Sequence, residues 1–523
     1  MVKKMRMTGY EWTYTHKQKI PREGITHCIL ITLLSKSCEP KNGESSKNKV
    51  RKIGNGLIKM QTHYLHCNFF HYTKVGIRFS ALIIRNQIFY ICLSFTPVSM
   101  LYRPVWILCI ILYRVFFKHF IIKENKVDLS KPTIFISNHN NAFIDPIVYA
   151  ATILSRMYFI VRGDIFNTPV KRWFLWNLGQ IPMFRIRDGI DNVKRNESSF
   201  EQSYDLLGNN ENILIFPEAD CVQKKRLRGL KKGTARMAFG AVTKHGWDID
   251  LQILPVMNNY TYPREFRTEV MTNVGEPICL NDYREIYEKD ENQALTKLTK
   301  EMAARMKRDY IHIEHPENDD LFERLVIIAR NDNPTKTIPW LQFQESRFRL
   351  EKSIADRLNE IGTDSDERAE LDADTKQYLD ELKSLNISDK VFAGAAPNLF
   401  FGAIVTLVGF PVYVFGILLN IFQFEFAKHI ADKKIKQVIF QNSIRYGALL
   451  VTNLLVVLAL MISVSFYNWK LALLTPFVLA IIAFFTINYH EYVQSWRNAL
   501  AFSKLESDVK SKLLALRNNA KLN

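Results

Sequence analysis

The chain has 523 residues, a net charge of +18 and seven cysteines. It is too long for one ordinary domain, and an odd set of cysteines without a C-x-x-C pair points to neither a disulfide framework nor a zinc site, so a reducing compartment fits. The charge admits nucleic acid or an anionic membrane as partner, but no helix-turn-helix, zinc-finger or aromatic RNA-binding signature accompanies it; long apolar segments do, so membrane lipid is expected and nucleic acid is not.

Residues 1–99 carry 16 Lys/Arg against 4 Asp/Glu, 4 of the 7 cysteines and 5 of the 12 histidines. They show no sustained helical or strand periodicity up to about residue 75, and Lys41 to Lys52 reads as loop. The first apolar run, Cys28 to Leu34, is too short and too late for a signal peptide. The segment is expected to be a dispensable extension of coil with an isolated helix from Ile77 to Leu93, the natural start lying at Met100. Residues 100–125 then read as an interfacial helix: Pro104 to Phe117 is apolar, too short to span a bilayer, and flanked by Arg103, Arg114 and Lys118.

From residue 126 to 280 strand and helix patterns alternate. Strands are expected at 133–137, 157–161, 181–186, 212–217, 250–256 and 268–274, and helices at 146–154, 169–178, 191–207 and 233–245. This alternation predicts an α/β fold, a largely parallel sheet flanked by helices, whose ligands bind beyond the carboxyl ends of the strands. Residues 281–390 read as a charged helical linker, with Leu295, Leu298, Met302 and Met306 on one helical face. His312-Ile313-Glu314-His315 lacks zincin spacing and reads as solvated linker. Residues 391–490 hold three apolar segments near membrane length, Leu399 to Leu419, Tyr446 to Phe466 and Leu471 to Asn488. Gly402, Gly409, Pro411 and Gly416 suggest that the first is bent or re-entrant, returning the chain to the same side. Lys428, Lys433, Lys434, Lys436 and Arg445 place the stretch before the second in the cytoplasm, and 491–523 reads as a cytoplasmic helical tail.

The loop from Ser137 to Pro146 carries the chemistry. It joins a β-branched strand to an apolar helix, with Asp145 expected as N-cap and Pro146 at the first helical position. His139 stands six residues before Asp145. A histidine accepts a proton near neutral pH, and a carboxylate fixes its tautomer and stabilises its charged form. No G-x-S-x-G elbow offers a serine nucleophile, which leaves His139 to activate a substrate hydroxyl. Three segments follow in order: Gly179 to Arg187, ending in two alternating arginines; Ile213 to Glu218, followed by a basic run from Lys224 to Lys232; and Ile253-Leu254-Pro255-Val256.

Taken together, residues 100 to 280 resemble the glycerolipid acyltransferase family, which includes the lysophosphatidate and glycerol-3-phosphate acyltransferases. The family's blocks are a His with an Asp five residues on, a G-x-x-F-x-x-R-like block, F-P-E-G-T-R and a V-P-I-like strand. The His139–Asp145 spacing is one residue longer, an H-x-N-x-F-x-D-P arrangement shared by some glycerol-3-phosphate-type members. The third block reads Phe216-Pro217-Glu218-Ala219-Asp220-Cys221, so its glycine and arginine are absent. The resemblance implies a membrane-bound enzyme moving a fatty acyl group from a thioester donor, carried by coenzyme A or a carrier protein, to a hydroxyl of a glycerol-phosphate acceptor, with no metal or bound cofactor. His139 is expected as general base and Asp145 as its orienting partner. Arg187 is first choice for the acceptor phosphate and Arg185 second, since strand alternation points it the other way. Arg226, Arg228, Lys231 or Lys232 would take the missing arginine's role, and Asn141 is grouped with the substrate-binding residues. Glu218 would order the basic run or bind an acceptor hydroxyl, or else simply pair with a neighbouring lysine. Pro255 would shape a wall. 1-Acyl-glycerol 3-phosphate is the favoured acceptor, and glycerol 3-phosphate the alternative. A lipid-binding scaffold with a decayed site, and a transporter built on the apolar helices, are the readings from other classes.

Overall fold

The computed structural model describes residues 2–7, 10–15, 99–123, 128–152, 156–185, 194–333, 345–392 and 397–522. Residues 1–78 and 79–523 form separate units. In the first, β1 (Val2–Met7) and β2 (Tyr10–Thr15) pair antiparallel as a two-stranded sheet of their own. Coil was expected there: Val-Lys-Lys-Met-Arg-Met lacks the apolar alternation that would mark a strand. The helix expected at 77–93 lies outside the described residues.

The second unit begins with α1 (Ser99–Phe116), followed by β3 (Lys118–Lys123), β4 (Thr133–Ile136), α2 (Ile144–Thr152), β5 (Met157–Arg162), α3 (Pro169–Asn177), β6 (Gln180–Met183), α4 (Asn196–Gly208), β7 (Asn212–Ile215), α5 (Gly233–His245), β8 (Gln252–Tyr260), β9 (Glu269–Val274) and β10 (Ile278–Cys279). The strand order is β3-β9-β8-β4-β7-β5-β6, with β10 on β8. β4, β7, β5 and β6 run parallel to their neighbours, whereas β8 meets β9 antiparallel. β4 is central and wholly buried, which accounts for its continuous apolar run.

Several boundaries depart from expectation. The interfacial helix stops at Phe116, and residues 118–123 become an edge strand parallel to β9. Nor is α1 free: Tyr113 and Phe116 are buried with Ile144, Val148 and Tyr446. β6 ends at Met183, short of both arginines. β8 continues to Tyr260 through Asn258 and Asn259, polar residues that end the apolar run in sequence yet lie buried in the sheet. Asn138 exchanges hydrogen bonds of 2.8 Å with the Asn258 backbone, and Asn259 Oδ1 accepts from Ile311 N at 2.8 Å.

Residues 281–390 are part of the packed body. After the short α6 (Arg284–Lys289), α7 (Glu291–Arg308) puts Leu295, Leu298, Met302 and Met306 into one core with α5 and β8. α8 (Asp319–Asp332), α9 (Glu345–Ile361) and α10 (Asp366–Ser384) follow. His312 is buried, accepts from Leu227 N at 3.0 Å through Nδ1, and is held down to a pKa of about 4 by burial, so its stretch is no solvated linker.

The apolar region forms α11 (Leu399–Lys434), α12 (Val438–Ser465), the short α13 (Trp469–Ala472) and α14 (Thr475–Ser503), and α15 (Ser507–Asn519) follows. α11, α12 and α14 are each long and apolar enough to cross a membrane. α11 is one continuous helix, not a re-entrant pair. Its glycines serve packing: a Cβ on Gly402, Gly409 or Gly416 would meet Trp496, Tyr489 or Thr486 of α14. Its two ends nevertheless both return to the body. Near the first, Trp496 Nε1 donates to the Leu399 carbonyl and Asn498 Oδ1 accepts from Ser388 N. Towards the second, Phe424 meets Phe266 edge-on.

Candidate active site

β4 delivers Ser137-Asn138-His139 at its carboxyl end, beside the neighbouring β7, which delivers Phe216-Pro217-Glu218 at its own. Parallel pairing therefore brings two segments far apart in sequence into one crevice. His139 Nδ1 lies 2.9 Å from Asp145 Oδ2. The same oxygen accepts from Asn140 N at 2.9 Å and Asn141 N at 2.8 Å, while Oδ1 accepts from Tyr260 OH at 2.6 Å. Asp145 is fully buried. It sits inside the first turn of α2, which opens with Ile144 N donating to the Asn141 carbonyl, so its carboxylate folds back over the histidine loop instead of capping the helix. Between His139 and Asp145 the chain turns at Ala142, with φ +37°. A carboxylate is acceptor-only, so Nδ1 carries the proton and the Nε2 lone pair is left as base. Nε2 has no hydrogen-bond partner among the described residues. The imidazole stacks on Phe216, centroids 4.1 Å apart, which holds its plane.

Glu218 is a brace. Its Oε1 accepts from His139 N at 3.3 Å, and Oε2 accepts from Arg228 N at 3.2 Å and Arg228 Nε at 3.0 Å. Burial raises its pKa, and Arg228 opposes that shift. Val222 N closes the contact by donating to the His139 carbonyl at 3.0 Å. The pairing foreseen for Glu218 is therefore present, with an arginine as the cation. Ala219 stands where the family pattern has glycine and adopts φ +62°, the left-handed conformation that glycine takes without cost. Cys221 stands where that pattern has arginine. Its Sγ accepts from Ala142 N at 3.2 Å, and burial pushes its thiol up to about 12, which suits packing and not nucleophilic work.

Residues 119–258 match the family model described as Acyltransferase. That match runs from β3 into β8 and takes in the loops after β4 and β7. The chain is 24% identical over 264 residues to glycerol-3-phosphate O-acyltransferase 1 of Saccharomyces cerevisiae, a match covering 48% of this chain and 33% of that protein. It is 29% identical over 136 residues to a 1-acyl-sn-glycerol-3-phosphate acyltransferase of Chlamydomonas reinhardtii, covering 26% of this chain and 37% of that one. The chain thus spans only about a third of the length of these relatives. Among solved structures it is similar to the 1-acyl-sn-glycerophosphate acyltransferase PlsC of Thermotoga maritima, at 15% identity and a TM-score of 0.29, covering 49% of this chain and 98% of that one.

Within the matched segment the remaining expected residues separate. Arg185 Nη1 lies 3.3 Å from Asp220 Oδ1, and the Arg228 guanidinium donates to the Asp220 carbonyl, so two cationic groups converge on the loop that braces His139. Because β6 ends at Met183, strand alternation does not rank Arg185 below Arg187; Arg187 itself lies outside the described residues. Lys232 is not brought to the crevice, since its Nζ donates to Thr296 Oγ1 of α7 at 2.8 Å. Arg226 is spent on the Ile313 carbonyl and Asp319. Asn141 is fully buried and donates to the Pro263 carbonyl at 3.1 Å, a framework contact and not a substrate-facing one. Pro255 lies opposite Ile136 in the sheet.

Sequence reasoning missed Tyr260, Phe216 and Ser443. Ser443, near the start of α12, donates to the Asn141 carbonyl at 3.0 Å and accepts from Phe143 N at 3.1 Å, tying a helix long and apolar enough to cross a membrane to the histidine loop. Phe216 was legible as the residue leading Pro217-Glu218. Nothing local marks a serine 304 residues after His139 or a tyrosine beyond two asparagines.

Proposed function

We propose that the chain is a membrane-bound O-acyltransferase that esterifies a hydroxyl of 1-acyl-glycerol 3-phosphate with the acyl group of a thioester donor carried by coenzyme A or a carrier protein. The observation that carries this reading is the His139 Nδ1–Asp145 Oδ2 contact of 2.9 Å at the carboxyl end of β4, with Nε2 left as base. The acceptor oxygen attacks the thioester carbonyl while Nε2 takes its proton. Asp145 stabilises the imidazolium, and the tetrahedral intermediate expels the thiolate, which recovers that proton as a thiol. General-base assistance of this kind contributes about 10²–10⁴-fold in rate.

The acceptor phosphate is assigned to the arginines of the second block, Arg187 and Arg185, and to Arg228, which meets Arg185 at Asp220; a guanidinium binds two phosphate oxygens at once. The chemistry as written needs no metal or bound cofactor. α12 and α14 would cross the bilayer as a hairpin, with α11, whose two ends both meet the body, embedded beside them and the catalytic domain on the cytoplasmic face, in keeping with Lys433, Lys434 and Lys436 at the junction of α11 and α12. The docking of α15 onto the same body, through the Arg517–Asp389 ion pair, supports a tail on that side.

Glycerol 3-phosphate is a second reading, favoured by the name of the Saccharomyces relative and by the longer His–Asp spacing. Membranes carrying the full chain, offered both acceptors with labelled acyl donors, should yield labelled phosphatidate from 1-acyl-glycerol 3-phosphate. Label entering only lysophosphatidate from glycerol 3-phosphate would transfer the function to the second reading. Label in neither product would remove both.

A further inference from the structure

α3 is amphipathic in the wrong sense for a water-facing helix. Its sequence, Pro-Val-Lys-Arg-Trp-Phe-Leu-Trp-Asn, is a bona fide helix: Thr168 caps it, accepting from Lys171 N, and Pro169 takes a first-turn position that needs no N–H. Val170, Trp173 and Phe174 fall on one arc at steps of three and four residues. That arc points away from the protein. Val170 is 76% exposed, Trp173 62%, Phe174 41% and the neighbouring Trp176 52%, whereas Leu175 on the opposite side is half-buried. The helix carries no acidic residue, and its two charged side chains, Lys171 and Arg172, are both exposed cations.

Two further observations select the partner. α3 packs against α1, and Tyr113 and Phe116 of α1 share a core with Tyr446 of α12, so α1 ties α3 to a helix long and apolar enough to cross a membrane. Exposed tryptophans beside lysine and arginine have the composition of a bilayer headgroup layer, where indole rings settle and cations meet lipid phosphates.

We infer that α3 is an in-plane membrane anchor that inserts Val170, Trp173, Phe174 and Trp176 among the headgroups of the bilayer that holds α11, α12 and α14. The inference rests on the membrane reading above and adds a purpose to it. α3 leads directly into β6 and Arg185, so its insertion holds the phosphate-binding end of the crevice at the level of the lipid phosphates, where a bilayer-borne acceptor presents its own.

The test uses the full chain reconstituted in vesicles of phosphatidylcholine and phosphatidylglycerol, with the phosphatidylcholine either plain or brominated near the carbonyl end of its chains. The signal is the tryptophan emission of the wild type minus that of Trp173→Phe/Trp176→Phe, a pair of replacements that keeps aromatic bulk. The difference emission should be blue-shifted, lose most of its intensity in brominated lipid and resist aqueous iodide. Quenching by iodide and not by brominated lipid would put α3 in water and overturn the inference. Resistance to both would mean that protein covers the helix, and would overturn it equally. Alkaline carbonate separates this failure from a deeper one. Release of the wild-type chain would remove the membrane reading and this inference with it, whereas retention with a water-quenched α3 would remove this inference alone.

Discussion

The loops after β4 and β7 solve one problem in opposite ways. The first keeps its chemistry in side-chain identity: His139 and Asp145 are the expected pair, and every atom that positions the Asp145 carboxylate is a backbone amide, the histidine or Tyr260. The second keeps its shape while changing its residues. Ala219 takes a backbone conformation suited to glycine, Cys221 fills an arginine's place with a half-buried thiol, and Arg228 returns from ten residues downstream to satisfy Glu218. A reacting group tolerates no substitute, because proton transfer needs that atom at that place. A brace needs only a buried carboxylate with its donors met, which several sequences supply.

The largest effect should separate the two loops. His139→Ala is expected to lower kcat by about 10²–10⁴-fold while leaving the protein in the membrane fraction. Near-wild-type turnover by a clean preparation would end the assignment of a base to the first loop. The next contrast concerns charge. Arg187→Ala should raise KM for the phosphorylated acceptor by roughly 10–100-fold, the loss of about 1.5–3 kcal/mol from a charge-assisted hydrogen bond, and leave the donor KM unchanged. An equal effect on both substrates would move the phosphate role to Arg185 or Arg228, and so into the second loop's own network.

Smaller effects sharpen the distinction between reacting and bracing. Ser443→Ala removes the acceptor of the half-buried Phe143 amide hydrogen bond, at a cost of about 0.5–1.5 kcal/mol in stability. Read as a lowered midpoint of unfolding in detergent, with the acceptor KM unmoved, that loss would mark Ser443 as a tie between α12 and the histidine loop. An unchanged midpoint would show that the helix merely rests there. The smallest effect is expected at Ala219. Ala219→Gly relieves roughly 1–2 kcal/mol of left-handed strain and gives back about 0.5–1 kcal/mol in unfolded-state entropy, so stability should rise slightly or hold, with activity intact. A clear loss of stability would mean that the alanine methyl packs in a way the backbone conformation does not reveal.

Much of the domain was legible because its signals are local. Strand and helix periods placed the elements from 133 to 274 to within a few residues, and the histidine loop announced itself between a β-branched strand and an apolar helix. Errors arose where a distant partner overruled the local pattern. Asn258 and Asn259 looked like the end of a strand because sequence does not show Asn138 and Ile311 waiting to pair with them. His312 looked solvated because Leu227, whose amide it accepts from, is 85 residues away. The glycines of α11 looked like a break between two segments because the bulk of Trp496, Tyr489 and Thr486 lies on another helix.

By itself, then, the sequence determined the α/β alternation, the three long apolar helices and the histidine with its carboxylate, since each depends on residues within a few turns or strand steps of one another. Only the tertiary structure decided that Asp145 folds back on the loop rather than capping α2, that Glu218 holds the His139 amide, that Arg185 and Arg228 meet at Asp220, and that a serine of α12 touches the histidine loop. The physical reason is the parallel sheet. Its register sets β4 beside β7 and gathers their carboxyl ends, and the partners of a side chain there are chosen by strand order and helix docking, which no local pattern encodes.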